Sequence, residues 1–145
     1  FKNILVPTDG SELSDSTVER AISFAKDAGA RITFFYAQPD FPTPLSVGAL
    51  FDPSTPEQFS KAAAAEAEKI LTRYNASANA AGIESNGDTV VSEVPFEAII
   101  AAAQRNGSDL IFMASHGRRG LSGLLLGSET QKVLTHSKIP VLVYR

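Results

Sequence analysis

The sequence predicts an α/β fold in which five parallel strands form one open sheet with helices on both faces. Short apolar segments alternate with longer segments whose apolar residues recur every three or four positions, and this alternation is typical of βαβ units. The segment 110–114, LIFMA, is continuously apolar, as expected of a strand that is buried on both faces. With 145 residues, the chain has the size of one domain. We therefore expect a single domain over residues 1–145.

The strands are predicted from short apolar runs that are rich in β-branched and aromatic residues. A run such as ILVP at 4–7 resembles LIFMA, because it is also continuously apolar. In chain order, the five predicted strands are residues 4–6, 32–36, 89–91, 110–114 and 141–144.

Four helices are predicted between the strands. The first begins near residues 11–14 and ends before Gly29, where a left-handed residue would terminate it. The second is the longest, since its helical period continues over residues 56–81 and stops at Gly82. Pro95 suits the first turn of the third helix.

The third helix is predicted to end at Gly107, and the fourth is predicted to begin at Ser128. Ser128 and Gln131 have the Ser-x-x-Gln spacing of a capping box. In that motif the hydroxyl accepts a hydrogen bond from the third backbone N–H, and the amide reaches back to the N-cap. We therefore expect Ser128 to be the N-cap of the last helix.

The segment 38–56 fits neither pattern. It holds five of the eight prolines, which lack the N–H that the interior of a helix or a sheet uses. At 19 residues it is longer than most connections in a compact domain. We expect a long exposed connection that serves as a functional or mobile flap.

The composition excludes several classes of function. Lys and Arg total 13 against 16 Asp and Glu, a formal charge of −3, so we expect no nucleic-acid partner. The absence of cysteine and the presence of only two histidines argue against a metal site made by the protein. No apolar run approaches the roughly 20 residues of a membrane span, and the first ten residues do not resemble a secretory signal. We expect a cytoplasmic protein without a membrane partner.

Ligands of open parallel sheets bind beyond the carboxyl ends of the strands. The segment 115–130, which follows the fourth predicted strand, holds four of the ten glycines together with Arg118 and Arg119. Such a loop before a helix can turn several N–H groups toward one anion, with help from the helix dipole. Alternatively, the glycines only permit tight turns while Gly127 and Ser128 cap a helix. The loop matches neither the P-loop nor the dinucleotide-binding motif.

The chain resembles the universal stress protein family along essentially its whole length. The resemblance is carried by NILVPTDGS at 3–11, DLIFMASHGRRGLSGLLLGS at 109–128 and IPVLVYR at 139–145. The nucleotide-binding branch has Gly, two residues, Gly, nine residues and then Gly-Ser or Gly-Thr, which Gly117 and Gly127-Ser128 match. Ala114 stands where the family has its first glycine. Because φ is negative at a strand end, we expect the methyl group to weaken or to spare nucleotide binding, not to abolish it.

The resemblance implies the strand order 3-2-1-4-5 and ATP as the ligand. It implies that adenine and ribose lie on Asp9 and on the backbone near Ala37, and that the phosphates lie on residues 115–120 and 127–130. A divalent ion, Mg or Mn, would then bind through the phosphates, with ligands mostly from nucleotide and water. The predicted binding residues are Pro7, Thr8, Asp9, Ala37, Ala114, Ser115, His116, Gly117, Arg118, Arg119, Gly120, Gly127, Ser128, Glu129 and Thr130.

Several of these residues also have plain structural interpretations. Asp9 can cap the first helix instead of binding ribose. His116 can be an exposed loop residue or a phosphate donor. Arg118 and Arg119 can be solvated charges, although in an anion-binding loop at least one is expected to face phosphate.

The resulting hypothesis is a small ATP-binding universal stress protein that couples nucleotide binding to a stress-response or regulatory state. We predict no catalytic residues, because the loop has no lysine and no dedicated base. The alternatives are a dimeric interaction module that binds no nucleotide, and a slow ATPase or phosphotransferase. We also expect a homodimer through residues 141–144, which have no charge before Arg145 and would lie at the sheet edge.

Overall fold

The fold is that of a computed structural model that describes residues 1–41, 55–117 and 126–145. Strands and helices alternate along the chain in the predicted order. Their bounds are β1 Asn3–Thr8, α1 Glu12–Ala28, β2 Arg31–Gln38, α2 Pro56–Ala80, β3 Ser85–Val91, α3 Pro95–Arg105, β4 Leu110–Ala114, α4 Ser128–His136 and β5 Val141–Tyr144. Most of the predicted connection 38–56, namely residues 42–54, lies outside the described residues.

The five strands form one sheet in the order β3-β2-β1-β4-β5, and each neighbouring pair is parallel. The predicted fold class and strand order are therefore confirmed. The order reverses between β1 and β4, because the chain first builds outward to β3 and then returns to the other side of β1. The carboxyl ends of β1 and β4 consequently lie side by side, where ligands of such sheets bind.

The two faces of the sheet bury separate apolar layers. Ile4 and Val6 of β1 face α1 and α2, whereas Leu5 faces α3 and α4. All five residues of β4 are buried, which agrees with its continuously apolar sequence. The two layers therefore bury β1 and β4 between them.

The predicted start of β3 at residue 89 is wrong, because the strand begins at Ser85. β3 pairs with β2 from Ile32↔Ser85 to Gln38↔Val91. It lies at one edge of the sheet, so several of its side chains are exposed and can be polar. The apolar run at 89–91 therefore marks only the end of the strand.

The ends of α1 follow the prediction. Ser11 is the N-cap, and its side chain accepts a hydrogen bond from the Ser14 N–H. Gly29 ends the helix with φ of 61°, a left-handed conformation that favours glycine. The capping box of the chain occurs instead on α2, where Thr55 and Gln58 exchange both bonds.

The capping box predicted for α4 is wrong. Ser128 is the first helical residue, and Gly127 is the N-cap, without a side-chain bond. A serine in the first helical position cannot play the N-cap role, because the N-cap precedes the helix. The Gln131 amide donates instead to the Leu126 carbonyl at 3.2 Å.

Within the described ranges, no helix combines the length and the apolar character that crossing a membrane requires.

Candidate functional site

The turn after β1 is built around the Asp9 carboxylate. Its Oδ1 accepts hydrogen bonds from the Ser11 N–H at 3.0 Å and from the Ser14 hydroxyl at 2.7 Å. Gly10 has φ of 72°, which lets the chain turn sharply here. The capping interpretation of Asp9 is wrong, since Ser11 is the N-cap of α1. Asp9 instead braces the turn and faces the carboxyl end of β4.

The turn after β1 contacts the loop after β4 at Gly117. A Cβ atom added to Gly117 would overlap Asp9 Oδ2 and would lie 3.4 Å from Asp9 Cγ. The backbone of Gly117 is outside the left-handed region, so close approach and not φ requires the glycine. Two segments that are more than 100 residues apart in sequence therefore meet, at the edge of the sheet where the candidate site is predicted.

The two ends of the glycine-rich loop are held together as a narrow neck. The Gly127 N–H donates to the Ser115 carbonyl at 2.8 Å. A Cβ atom on Gly127 would lie 3.1 Å from both Cα and Cβ of His116. This close approach gives Gly127 a structural role that does not depend on any ligand. Arg118, Arg119 and Gly120, three predicted binding residues, lie outside the described residues.

Ser115 and His116 form a hydrogen-bonded pair at the end of β4. Ser115 Oγ and His116 Nδ1 are 3.1 Å apart, and the Ser115 N–H donates to the Tyr144 carbonyl at 2.7 Å. Ser115 is 0% exposed, and its hydroxyl is directed to His116. The pair therefore supports the backbone of the neck.

The start of α4 presents backbone N–H groups, but two of its side chains have other partners. Thr130 Oγ1 donates to the Ala114 carbonyl at 3.0 Å in a buried bond. Glu129 Oε2 accepts from the Phe96 N–H at 2.8 Å, and its Oε1 pairs with Lys132 at 2.9 Å. The first N–H groups of a helix lack helical acceptors. Ser128, Glu129 and Thr130 can therefore serve an anion through the backbone.

The remaining predicted residues lie on the strands. Pro7 and Thr8 end β1, where they pair with Phe35 and Tyr36 of β2. Ala37 is half-buried near the end of β2 and packs against the layer of α3 and α4. Ala114 has negative φ, as expected of a strand end, so its methyl group causes no backbone strain.

A polar cluster beside the turn was not predicted from the sequence. The Tyr74 hydroxyl of α2 accepts from Thr8 Oγ1 at 3.3 Å and donates to Asp15 Oδ1. Arg73 donates to Asp15 Oδ1 at 2.6 Å and to the Tyr74 hydroxyl at 3.0 Å. The signal available in the sequence was a tyrosine on the apolar face of a helix, since a buried phenol requires a partner. We call Thr8, Asp15, Arg73 and Tyr74 the Tyr74 cluster.

A groove of about 530 Å³ lies at the opposite, amino-terminal edge of the sheet. Lys2, Lys26 and Arg31 line it beside the carboxyl ends of α1 and α2. Lys2 Nζ donates to the Ala28 carbonyl at 3.2 Å, and cations at helix carboxyl ends offset the helix dipole. Lys2 and Lys26 thus compensate the dipole of α1, and the groove is distinct from the candidate site.

Among the residues that the structure describes, no group of three or more His, Asp or Glu side chains could hold a metal ion.

Comparisons with known proteins show similarity in both sequence and fold. Residues 1–145 match the model of the Universal stress protein family. A universal stress protein of Thermus aquaticus is 33% identical over 145 residues, which cover 100% of this chain and 99% of that protein. A Methanocaldococcus jannaschii protein solved as a structural-genomics test case has a TM-score of 0.81 at 26% identity, covering 99% of this chain and 94% of that one. A universal stress protein solved in complex with cAMP has a TM-score of 0.71 at 27% identity, covering 99% and 97%.

Proposed function

Because the chain belongs to the universal stress protein family, we propose that it is a cytoplasmic ATP-binding protein whose nucleotide stabilises a stress-response or regulatory state. The observation that carries the proposal is the contact between Asp9 and Gly117 at the adjacent carboxyl ends of β1 and β4. A relative of similar fold binds the adenine nucleotide cAMP, which supports a ligand of the same class.

The nucleotide spans two parts of this edge in our proposal. Adenine and ribose lie against Asp9 and the backbone near Ala37, with Pro7 and Thr8 behind them. The phosphates lie between the neck and the start of α4, where unpaired N–H groups and the helix dipole favour an anion. A Mg or Mn ion binds through the phosphates. The residues that would lie around the phosphates are Ala114, Ser115, His116, Gly117, Arg118, Arg119, Gly120, Gly127, Ser128, Glu129 and Thr130, with Ser128, Glu129 and Thr130 contributing through the backbone.

We assign no catalytic residue to this site. Hydrolysis requires a positioned base and cations that clamp the transferred phosphate. The side chain of Ser115 is fully buried, and that of Glu129 is bound to α3 and to Lys132. Among the described site residues, the geometry therefore favours binding over group transfer.

Calorimetric titration of the full chain with ATP, GTP and cAMP tests the proposal. We expect tighter binding of ATP than of GTP, because backbone groups near Ala37 would read the edge of adenine. Asp9→Ala should weaken ATP binding about tenfold or more, since bonds to charged groups are worth roughly 1.5–3 kcal/mol. Asp27→Ala is the matched control, because Asp27 is an exposed carboxylate on α1.

Each other outcome identifies a different function. If the unaltered chain binds no adenine nucleotide, the proposal is wrong and an interaction module without nucleotide is favoured. If ADP is released faster than in a buffer blank, and Asp9→Ala abolishes that release, the chain is a slow ATPase.

We further propose a homodimer through β5. In the described part of the chain, β5 is an edge strand that pairs with β4. The carbonyl of Pro140 accepts from Ile111 of β4, and that of Tyr144 accepts from Ser115, directly after β4. Alternation therefore directs the N–H groups of Val141 and Val143 toward the open edge. Antiparallel pairing of two β5 edges would satisfy both with one self-complementary contact.

The substitution Val143→Pro tests the dimer, because it removes an outward N–H and leaves the bonds to β4 intact. We expect the unaltered protein to sediment as a dimer and Val143→Pro as a folded monomer. Val143→Thr, which keeps the N–H and the side-chain shape, should remain dimeric. A 15.4 kDa species alone, in the unaltered protein at micromolar concentration, would refute the dimer.

A further inference from the structure

The Tyr74 cluster joins α2 to the turn that carries Asp9. Its central atom is the Tyr74 hydroxyl oxygen, which forms hydrogen bonds with Thr8, Asp15 and Arg73. Thr8 and Tyr74 are 66 residues apart in sequence and are 8% and 3% exposed. The hydrogen bond between Thr8 and Tyr74 is therefore a buried tertiary contact between distant segments, whereas the side chains of Arg73 and Asp15 are 53% and 41% exposed.

Two side chains contact the ring of Tyr74. Phe34 of β2 packs against it with ring centroids 5.6 Å apart. The Arg73 guanidinium lies over the ring, with its Cζ atom 4.8 Å from the ring centroid. These contacts hold the hydroxyl in place, so it offers Thr8 a fixed acceptor.

The hydroxyl contacts both ends of the Asp9 turn. Before Asp9, the Thr8 hydroxyl donates to Tyr74 and accepts from the Gly10 N–H at 3.1 Å. After Asp9, Tyr74 donates to Asp15, the residue next to Ser14, whose hydroxyl holds Asp9 Oδ1. The turn is thus anchored on both sides of the carboxylate.

We propose that Tyr74 is a positioning residue, which holds the turn so that Asp9 is presented to the ribose hydroxyls of a bound adenine nucleotide. The inference rests on the proposed function. Buried hydrogen-bond networks in which each group is satisfied confer rigidity and a unique geometry. Tyr74 contributes to affinity through this preorganisation without contacting the nucleotide.

The protonation state of Tyr74 supports this role. Burial raises the pKa of the phenol, and the hydrogen bond to Asp15 raises it as well. The phenol therefore remains protonated at neutral pH, and it can donate to Asp15 while it accepts from Thr8.

The test is Tyr74→Phe, which keeps the buried ring and removes only the hydroxyl. We expect ATP binding to weaken about three- to tenfold, as for the loss of one hydrogen bond. Affinity for 2′,3′-dideoxy-ATP, which lacks both ribose hydroxyls, should change less than twofold. A merely structural role would weaken the two ligands equally.

Thr17→Val is the matched control. The Thr17 hydroxyl is also buried on α1, but it donates to the Leu13 carbonyl of its own helix at 2.6 Å. We expect Thr17→Val to bind ATP as the unaltered protein does, and circular dichroism verifies that both variants are folded.

The outcomes separate the two proposals. If the unaltered chain binds ATP, and Tyr74→Phe binds both ligands within twofold of it or loses both equally, the positioning role is wrong and the proposed function stands. If the unaltered chain binds no ATP, both proposals are wrong.

Discussion

Replacing Gly117 by alanine tests the contact on which the candidate site depends. The added methyl group would overlap Asp9 Oδ2, while Asp9 Oδ1 is held by two hydrogen bonds from Ser11 and Ser14. The carboxylate cannot move away without weakening at least one of these bonds. The substitution should therefore disturb the turn after β1 from the opposite side of the site.

The magnitude follows from the bonds at risk. A hydrogen bond to a charged group is worth roughly 1.5–3 kcal/mol. Alanine in place of glycine gains about 0.4–1 kcal/mol, because it restricts the unfolded chain. The net loss of folding free energy for Gly117→Ala should thus be about 1–2 kcal/mol. ATP affinity should fall about tenfold or more if Asp9 is displaced.

Urea unfolding of four proteins measures this effect without any ligand. They are the unaltered chain, Gly117→Ala, Asp9→Ala and the double variant. Once the carboxylate is removed, the methyl group fits, so Gly117→Ala should cost little in the Asp9→Ala background. The difference between the two backgrounds is the coupling energy. The gain from restricting the unfolded chain is the same in both backgrounds and cancels, so we expect a coupling energy of about 1.5–3 kcal/mol.

Equal destabilisation by Gly117→Ala in both backgrounds would refute the reasoning, because the methyl group would then not meet Asp9. Gly107→Ala serves as the control for backbone strain. Gly107 has φ of +61°, and a Cβ atom there would have no neighbour within 4 Å. Gly107→Ala should lower the free energy of unfolding by about 1 kcal/mol and leave ATP affinity unchanged.

Two further variants examine contacts outside the turn. Glu129→Ala should lower the free energy of unfolding by about 1 kcal/mol, because the Phe96 N–H loses its acceptor; unchanged ATP affinity in calorimetry would show that the side chain serves α3. For Asp109, burial acts to raise the carboxyl pKa, but the N–H groups of Lys2 and Asn3 outweigh it, and the net pKa is lowered from 3.8. Its folded pKa is depressed, so its contribution is present above about pH 4 and is lost as the pH falls below that value. The stability difference between the unaltered chain and Asp109→Ala should therefore shrink between pH 6 and pH 3 in urea titrations, and a constant difference would contradict this account.

The sequence by itself determined those strands and helices whose buried positions follow a local pattern of apolar residues. LIFMA at 110–114 is continuously apolar because both faces of β4 are covered. The end of α1 at Gly29 was predictable because a left-handed backbone conformation is a local property that favours glycine. The strand order did not follow from periodicity, since it was predicted from the family resemblance. The place of the candidate site was predicted from residues that directly follow strands, and its individual binding residues were implied by the family resemblance.

The tertiary structure alone decided which distant groups meet. Asp9 contacts Gly117, and Tyr74 contacts Thr8, because the sheet order brings their elements to one edge. Glu129 was predicted as a binding residue, whereas the packing of α4 on α3 brings its side chain to the Phe96 N–H. A local pattern records how deeply a residue is buried. It holds no record of which remote segment covers that residue, because the partner depends on the packing of the whole chain.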